Sequence, residues 1–135
     1  MNAKDIIREQ ISASAEIKQQ LLSDNRVCDV IAKAAQICVE AYRNGKKTLF
    51  AGNGGSAADA QHLAGEFVSK FYFDRPGLPS IALTTDTSIL TAIGNDYGYD
   101  RLFARQVQAQ GNEGDVFIGI STSGNSSFMK YAINA

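Results

Sequence analysis

The sequence has no tryptophan and only two cysteines, two prolines and one histidine. Cys28 and Cys38 lie ten positions apart in a stretch with helical spacing, too far apart to form a disulfide on one straight helix. We therefore expect two small, buried apolar residues, in keeping with a reducing cytoplasm. A chain of 135 residues can bury a core without disulfides or a structural metal.

An excess of charge of one sign is also missing. Thirteen Lys and Arg against fourteen Asp and Glu give a net charge of -1, so nothing indicates a nucleic-acid partner. No run approaches the roughly 20 apolar residues of a membrane span, and the first ten residues lack the apolar core of a signal peptide. We expect a cytoplasmic protein with no membrane association.

Hydrophobic spacing predicts two helices at the N-terminus. The first carries an apolar stripe near a period of 3.6, and the second follows the capping residues 23–25 and ends near Gly45. The first helix either packs against another subunit or has an internal role. The two stripes are Ile6, Ala13, Ile17 and Leu21, and then Val27, Ile31, Ala34, Ala35, Cys38 and Tyr42.

Beyond the two helices, short continuous apolar runs alternate with helical segments. The runs are 48–51, 81–83 and 116–120, as expected of strands covered on both faces, and the helices are 56–71, 88–93 and 99–110. This alternation predicts an α/β fold, a three-layer sandwich with a parallel sheet preceded by two N-terminal helices. We assign residues 1–135 to one domain. Because residues 126–135 look like the start of a helix that no cap or polar tail follows, we expect a C-terminal part to be missing.

Three polar loops follow the three predicted strands, where parallel sheets bind ligands. They are 52–56, 84–88 and 121–126. The third supplies four hydroxyls in six residues at the start of a helix, where hydroxyls, N–H groups and the helix dipole favour a phosphate. An ordinary capping loop fits the same residues.

The first loop admits two other interpretations. Residues 52–57 fit the dinucleotide pattern G-x-G-x-x-A, although Asp86, the acid that closes the second strand, comes 34 residues after Gly52 rather than about 20. Ser56 and Asp59 also match S-x-x-D, so Ser56 is alternatively a plain helix cap.

His62 and Glu66 stand at positions i and i+4 of one predicted helix, among small and apolar neighbours that indicate a mostly buried helix. A hydrogen bond between the two side chains is the simplest interpretation. A His–Glu pair can also grip zinc, and a carboxylate near a sugar carbonyl can transfer protons. We expect the serine-rich loop and this pair to face each other across one hollow.

Four segments together resemble the sugar isomerase (SIS) domain of the phosphoheptose isomerases, over essentially the whole chain. They are 52–62 (GNGGSAADAQH), Glu66, 91–98 (TAIGNDYG) and 119–126 (GISTSGNS). The resemblance implies a flavodoxin-like SIS fold and an aldose–ketose isomerase. Such an enzyme converts sedoheptulose 7-phosphate to D-glycero-D-manno-heptose 7-phosphate, for the heptose of lipopolysaccharide or capsule. It also implies a cytoplasmic homotetramer with one zinc per subunit.

By resemblance, Glu66 is the catalytic carboxylate, and His62 and Glu66 are zinc ligands. The implied substrate-binding residues are Asn53, Gly54, Gly55, Ser56, Glu66, Asn95, Asp96, Ser121, Thr122, Ser123 and Ser126. The remaining zinc ligands and a second acid/base are expected in the absent C-terminal part. The alternatives are a non-catalytic protein-binding relative, the DnaA initiator-associating type, and a regulatory SIS domain that senses phosphosugars. The carboxylate of Glu66 favours the enzyme.

Overall fold

The structure is a computed structural model that describes residues 2–135. It confirms the two N-terminal helices, α1 (Ala3–Ser23) and α2 (Asn25–Arg43). Asn2 and Asp5 exchange side-chain-to-backbone hydrogen bonds in a capping box that begins α1. The carboxylate of Asp24 accepts from the N–H of Val27 and begins α2. Gly45, with φ of +69°, follows the end of α2.

Contacts divide the chain into two compact units, one that ends at Ile37 and one of Cys38–Ala135. The assignment of residues 1–135 to a single SIS domain with a helical extension stays a prediction. In the first unit α1 buries none of its described residues, and the stripe residues Ile17 and Leu21 are 58% and 46% exposed. The apolar stripe of α1 is therefore uncovered in the single chain.

Both cysteines are free thiols. Cys28 is exposed and Cys38 is partly exposed, so the expectation that both are buried is wrong. Helical spacing predicts which residues share a face but not what covers that face, and of the described residues of α2 only Ala41 is buried. Among residues 2–135, no helix combines the length and the apolar character needed to span a membrane.

Three parallel strands form the sheet of the second unit, in the order β2-β1-β3. They are β1 (Thr48–Gly52), β2 (Ser80–Ala82) and β3 (Val116–Ile120). Leu49 of β1 lies in register with Ile81 on one side and Phe117 on the other. All five residues of β1 are buried, as the continuous apolar run predicts for a central parallel strand.

The helices of the second unit lie between and after the strands. They are α3 (Gly55–Val68), α4 (Thr87–Tyr97), α5 (Leu102–Gln110) and α6 (Ser127–Ile133), with a 3₁₀ turn at Tyr99–Arg101. Helix α3 ends three residues before the predicted Phe71. Helix α4 runs four residues beyond the predicted Ile93, until Gly98 adopts a φ of +83°. The glycine conformation ends the helix where hydrophobic spacing gives no signal.

Two apolar clusters cover the two faces of the sheet. Phe50 of β1 packs with Ala60 and Ala64 of α3. Leu49 and Ala51 point to the opposite face, where residues of α5 and α6 cover them. Successive side chains of a strand alternate between faces, so helices on both sides make three layers, and the predicted α/β sandwich is confirmed.

Asp115 ties the start of β3 to the start of β1. Its carboxylate accepts from the Lys47 ammonium and from the N–H groups of Lys47 and Asn112. Burial by itself would raise the pKa of Asp115, but the hydrogen bonds and the charge of Lys47 outweigh it and hold the pKa below its ordinary value. The ionised carboxylate is therefore stabilised in the folded chain.

We predict that Asp115→Asn lowers the free energy of unfolding by roughly 2 kcal/mol at pH 7, because Lys47 loses its charged partner. A lowered folded-state pKa gives stability that is complete above about pH 4 and is lost as the pH falls through that pKa. Urea denaturation should thus show a difference from wild type that shrinks under acid. Glu113→Gln, an exposed change in the same loop, is the control. A difference that grows with acid would contradict the assignment.

Candidate functional site

The order of the strands creates a crevice at the carboxyl end of β1. The chain moves from β1 to β2 on one side and then crosses to β3 on the other, so the loops after β1 and β3 diverge. A hollow of about 520 Å³ lies there. Its walls include the loop after β1, Thr84 after β2, Thr91 and Gly94 of α4, and Tyr99, Leu102 and Phe103.

Residues 52–55 at the end of β1, the glycine loop, approach the first turn of α3 closely. A Cβ on Gly52 would lie 2.4 Å from the carbonyl oxygen of Ser56, and Gly54 has a φ of +58°. Both positions therefore require glycine. Asn53 and Gly54 line the hollow, and the Asn53 amide oxygen accepts from the Tyr99 hydroxyl at 2.9 Å.

Ser56 does not act as the cap of α3. The residue before the helix is Gly54, without a side-chain capping bond, and Ser56 is buried as the second residue of the helix. The structure therefore contradicts the capping interpretation. A glycine with positive φ makes the turn, so no serine cap is required.

The loop after β2 takes a structural role in the fold. Asp86 caps α4 by accepting from the N–H of Ile89 at 2.9 Å. The Thr84 hydroxyl lies 3.4 Å from the carbonyl oxygen of Ala57 and joins this loop to α3. Since the Asp86 carboxylate is engaged at the helix start, the structure does not favour a role in holding a ribose. The dinucleotide-binding interpretation therefore lacks the acidic residue that it requires.

Residues 121–126 after β3, the serine loop, gather three hydroxyls. The Oγ atom of Ser121 lies 2.9 Å from that of Ser126 and 3.5 Å from that of Ser123, and Ser123 lies 3.5 Å from Ser126. Ser126 precedes α6 but makes no side-chain capping bond. Thr122 is exposed in the same loop. The Ser121 and Ser123 oxygens accept the N–H groups of Gly124 and Asn125, so their rotatable O–H groups can still donate to a ligand rich in acceptor oxygens.

His62 and Glu66 lie on one face of α3, as their spacing predicts. His62 Nε2 is 3.5 Å from Glu66 Oε1, and both side chains line a cavity of about 350 Å³. The side chain of His62 is 74% exposed and that of Glu66 31%. The expectation of a mostly buried helix is therefore wrong, because α3 buries only Ser56, Ala60 and Ala64 along its described length.

Arg75 lines the same cavity and fixes the end of α3. Its guanidinium donates to the carbonyl oxygens of Glu66 and Phe67, both at 2.8 Å. The last carbonyls of a helix have no partner within the helix, so a cation there is stabilising. The sequence signal for this role is an arginine four residues beyond the predicted helix end at Phe71.

The His–Glu pair fits zinc as part of a site. Imidazole nitrogen and carboxylate oxygen are both common zinc ligands, and a zinc ion takes about four ligands in tetrahedral geometry. Within residues 2–135 no group of three or more His, Cys, Asp or Glu side chains could hold a metal. His62 and Glu66 therefore suit zinc in donor type and supply two ligands, and an ion would need others.

Asn95 and Asp96 lie near the end of α4 and pair with each other, the amide nitrogen donating to the carboxylate at 2.8 Å. Asp96 lines a third cavity with Tyr97 and Arg105, on the side of α4 that faces α5. The structure places neither residue on the 520 Å³ hollow, whose α4 wall includes Thr91 and Gly94.

The predicted site residues thus fall into separate groups. Asn53 and Gly54 share a hollow with Tyr99, whereas His62 and Glu66 line the second cavity with Arg75. The serine loop lines neither of these two cavities. We expected the serine loop and the His–Glu pair to line one hollow, and neither of these two cavities contains both.

Comparison with known proteins shows that this chain belongs to the SIS domain family. A family model described as the SIS domain matches residues 10–135. The chain is 67% identical over 123 residues to "Phosphoheptose isomerase" of Aneurinibacillus thermoaerophilus, with 91% of this chain aligned. It is 67% identical over 125 residues to "Phosphoheptose isomerase 2" of Campylobacter jejuni, with 93% aligned. It spans 62% of the length of each of these relatives.

Solved structures give the same result. A phosphoheptose isomerase from Francisella tularensis has a TM-score of 0.92 at 40% identity, covering 99% of this chain and 69% of that one. Phosphoheptose isomerase GmhA from Neisseria gonorrhoeae has a TM-score of 0.89 at 42% identity, covering 98% and 68%. At these identities the likeness extends beyond a shared fold.

We predict that Gly52→Ala lowers the free energy of unfolding by about 2 kcal/mol or more, because the new methyl group overlaps the Ser56 carbonyl. The measurement is the midpoint of thermal or urea denaturation. Gly55→Ala is the matched control, since a Cβ there meets no other part of the described chain within 4 Å. Equal stability of the two variants would show that the close approach of Gly52 does not constrain the loop.

Proposed function

We propose that this chain is an aldose–ketose isomerase of a phosphorylated seven-carbon sugar. The reason is that it belongs to the phosphoheptose isomerases of the SIS domain family. The substrate would be D-sedoheptulose 7-phosphate and the product D-glycero-D-manno-heptose 7-phosphate. The observation that carries the proposal is the convergence of three hydroxyls in the serine loop, whose oxygens lie 2.9 to 3.5 Å apart.

In this proposal the serine loop holds the phosphate. Ser121, Ser123 and Ser126 each carry a rotatable O–H that can turn from its neighbour to a phosphate oxygen. Hydrogen bonds to a charged acceptor are about twice as strong as neutral ones, so three donors can hold a dianion without a lysine. Asn53, Gly54 and Gly55 are proposed to contact the sugar, with Ser56, Asn95, Asp96 and Thr122 as the other substrate-binding residues.

Glu66 is the proposed proton-transferring group. Its carboxylate removes a proton from C1 of the ketose, the C–H electron pair forms a C1–C2 double bond, and the C2 carbonyl oxygen takes up a proton. Return of a proton to C2 and loss of the O1 proton give the aldehyde. A second acid/base, proposed to lie in the part of the relatives' length that this chain does not span, would move the proton between O1 and O2.

His62 and Glu66 are also the proposed zinc ligands of this chain, and further ligands would come from outside it. A zinc ion bound there would polarise a substrate oxygen and stabilise the negative charge that develops on it. Arg75 supports the pair, because its bonds to the carbonyls of Glu66 and Phe67 hold the last turn of α3.

A cytoplasmic homotetramer is the proposed assembly, with a role in heptose synthesis for lipopolysaccharide or capsule. Exposed apolar surface supports the assembly. In the first unit, Ile7, Ile11 and Leu22 are 57%, 64% and 75% exposed. In the second unit, exposed Phe71, Tyr72 and Phe73 follow α3. Apolar surface of this extent is typical of protein–protein interfaces. The relatives and structures reported above are named as isomerases, so the protein-binding alternative is not carried forward.

We predict that Glu66→Gln reduces turnover of sedoheptulose 7-phosphate by at least about a thousandfold, because an amide cannot accept the proton. The assay is aldose formation by the full-length protein, with and without a chelator. Asp59→Asn, an exposed change on the same helix, controls for surface charge. Turnover by Glu66→Gln close to that of wild type would rule out the carboxylate as the base.

We predict that Ser126→Ala raises KM roughly tenfold and leaves kcat within about twofold, because the phosphate loses one charge-assisted hydrogen bond. Steady-state kinetics at several substrate concentrations separate the two constants. Ser69→Ala, beyond the end of α3 and outside the serine loop, is the matched control. A fall in kcat with an unchanged KM would argue against the phosphate role.

A further inference from the structure

The 3₁₀ turn Tyr99–Arg101 connects the glycine loop with the helix that follows the serine loop. On one side the Tyr99 hydroxyl donates to Asn53 Oδ1 at 2.9 Å. On the other side the Tyr99 ring meets the ring of Phe128 edge-on, with centroids 6.2 Å apart at 90°. Phe128 is the second residue of α6, which begins directly after the serine loop. One side chain therefore touches both elements.

Neighbouring residues hold this turn firmly on α6. The carboxylate of Asp100 accepts from the Ser127 hydroxyl at 2.6 Å. The guanidinium of Arg101 lies 4.2 Å above the ring of Tyr131. A polar bond and a cation–π contact, added to the Tyr99–Phe128 pair, fix the turn at three successive residues. The Tyr99 hydroxyl therefore belongs to a turn that is fixed to α6, the helix that follows the serine loop.

The bond to Tyr99 also determines which end of the Asn53 amide is available. The amide oxygen is occupied as the acceptor of the tyrosine hydroxyl, so the amide nitrogen with its two donors remains for a ligand. Asn53 and Tyr99 both line the 520 Å³ hollow. Sugar hydroxyls, carbonyls and phosphates all offer acceptor oxygens to such a donor.

We propose that Tyr99 is a positioning residue that holds the Asn53 amide as a hydrogen-bond donor toward the sugar phosphate, at a fixed distance from the serine loop. The inference rests on the proposed function, since it assigns a substrate contact to Asn53. Tyr99 acts through Asn53 and does not itself take part in proton transfer. Its side chain is 58% exposed, so its hydroxyl contributes to orientation more than to the core.

The test is Tyr99→Phe in the full-length protein, which removes the hydroxyl and keeps the ring against Phe128. We expect KM for sedoheptulose 7-phosphate to rise roughly fivefold, the equivalent of one neutral hydrogen bond, with kcat within about twofold. Tyr97→Phe is the matched control. Tyr97 is 55% exposed, and its hydroxyl faces Arg105 at 3.4 Å, away from Asn53. An unchanged KM in Tyr99→Phe, or an equal rise in both variants, would overturn the inference.

A double-mutant cycle tests whether Tyr99 works through Asn53. In an Asn53→Ala background, Tyr99→Phe should cause no further rise in KM, because the amide it orients is gone. Full additivity of the two changes would overturn the positioning role. If Tyr99 had only a structural role, Tyr99→Phe would lower the Tm, and its effect on KM would be the same with and without Asn53.

A second readout keeps this inference distinct from the proposed activity. The shift in Tm caused by sedoheptulose 7-phosphate is measured for each variant against its own ligand-free value, so a change in stability alone cannot imitate it. If the ligand stabilises the wild type but is not isomerised, the proposed activity is ruled out. A smaller Tm shift in Tyr99→Phe than in wild type would then still support the positioning role of Tyr99. A wild type that shows neither response would overturn both.

Discussion

The central strand β1 is hydrogen-bonded on both sides and covered on both faces, and the rest of the second unit is arranged around it. Its five residues are all buried, and its partners β2 and β3 are both parallel to it. Parallel neighbours require crossover connections, and right-handed crossovers in opposite directions place α3 on one face and α5 on the other. The chain therefore adds β2 on one side of β1 and β3 on the other. This change of side opens a crevice at the carboxyl end of β1.

The glycine loop must leave β1 and begin α3 within a few residues, which explains its composition. At Gly52 any Cβ would overlap the Ser56 carbonyl, and Gly54 turns the chain through a positive φ. This tight turn aims α3 along the sheet, with Ala60 and Ala64 toward Phe50 and with His62 and Glu66 facing outward. The same packing that builds the core thus presents the imidazole and the carboxylate on the surface.

Exposure of the His–Glu pair has a functional meaning in this setting. Two ligands hold zinc weakly, and a cavity with a 74% exposed imidazole does not exclude water. The proposed catalytic centre therefore requires walls from elsewhere, either a neighbouring subunit or the part of the relatives' length beyond this chain. The uncovered apolar surfaces on α1 and after α3 are consistent with such an assembly.

Local sequence signals determined the helices and strands, since each depends on spacing and capping within a few residues. They also placed His62 and Glu66 on one helix face and hydroxyl groups after β3. Ends of elements were less well predicted where a glycine conformation decided them, as at Gly98. Ser56 was open to a capping role until the turn at Gly54 excluded it.

Only the tertiary structure decided which groups meet. Asn53 and Tyr99 are 46 residues apart and come together because a turn after α4 reaches the carboxyl end of β1. Arg75 closes α3, Asp86 becomes a helix cap, and Asp96 faces α5, and none of these roles follows from spacing alone. Residue types and periodicity set the local structure because their causes are local, whereas partners across the crevice depend on how the chain crosses the sheet.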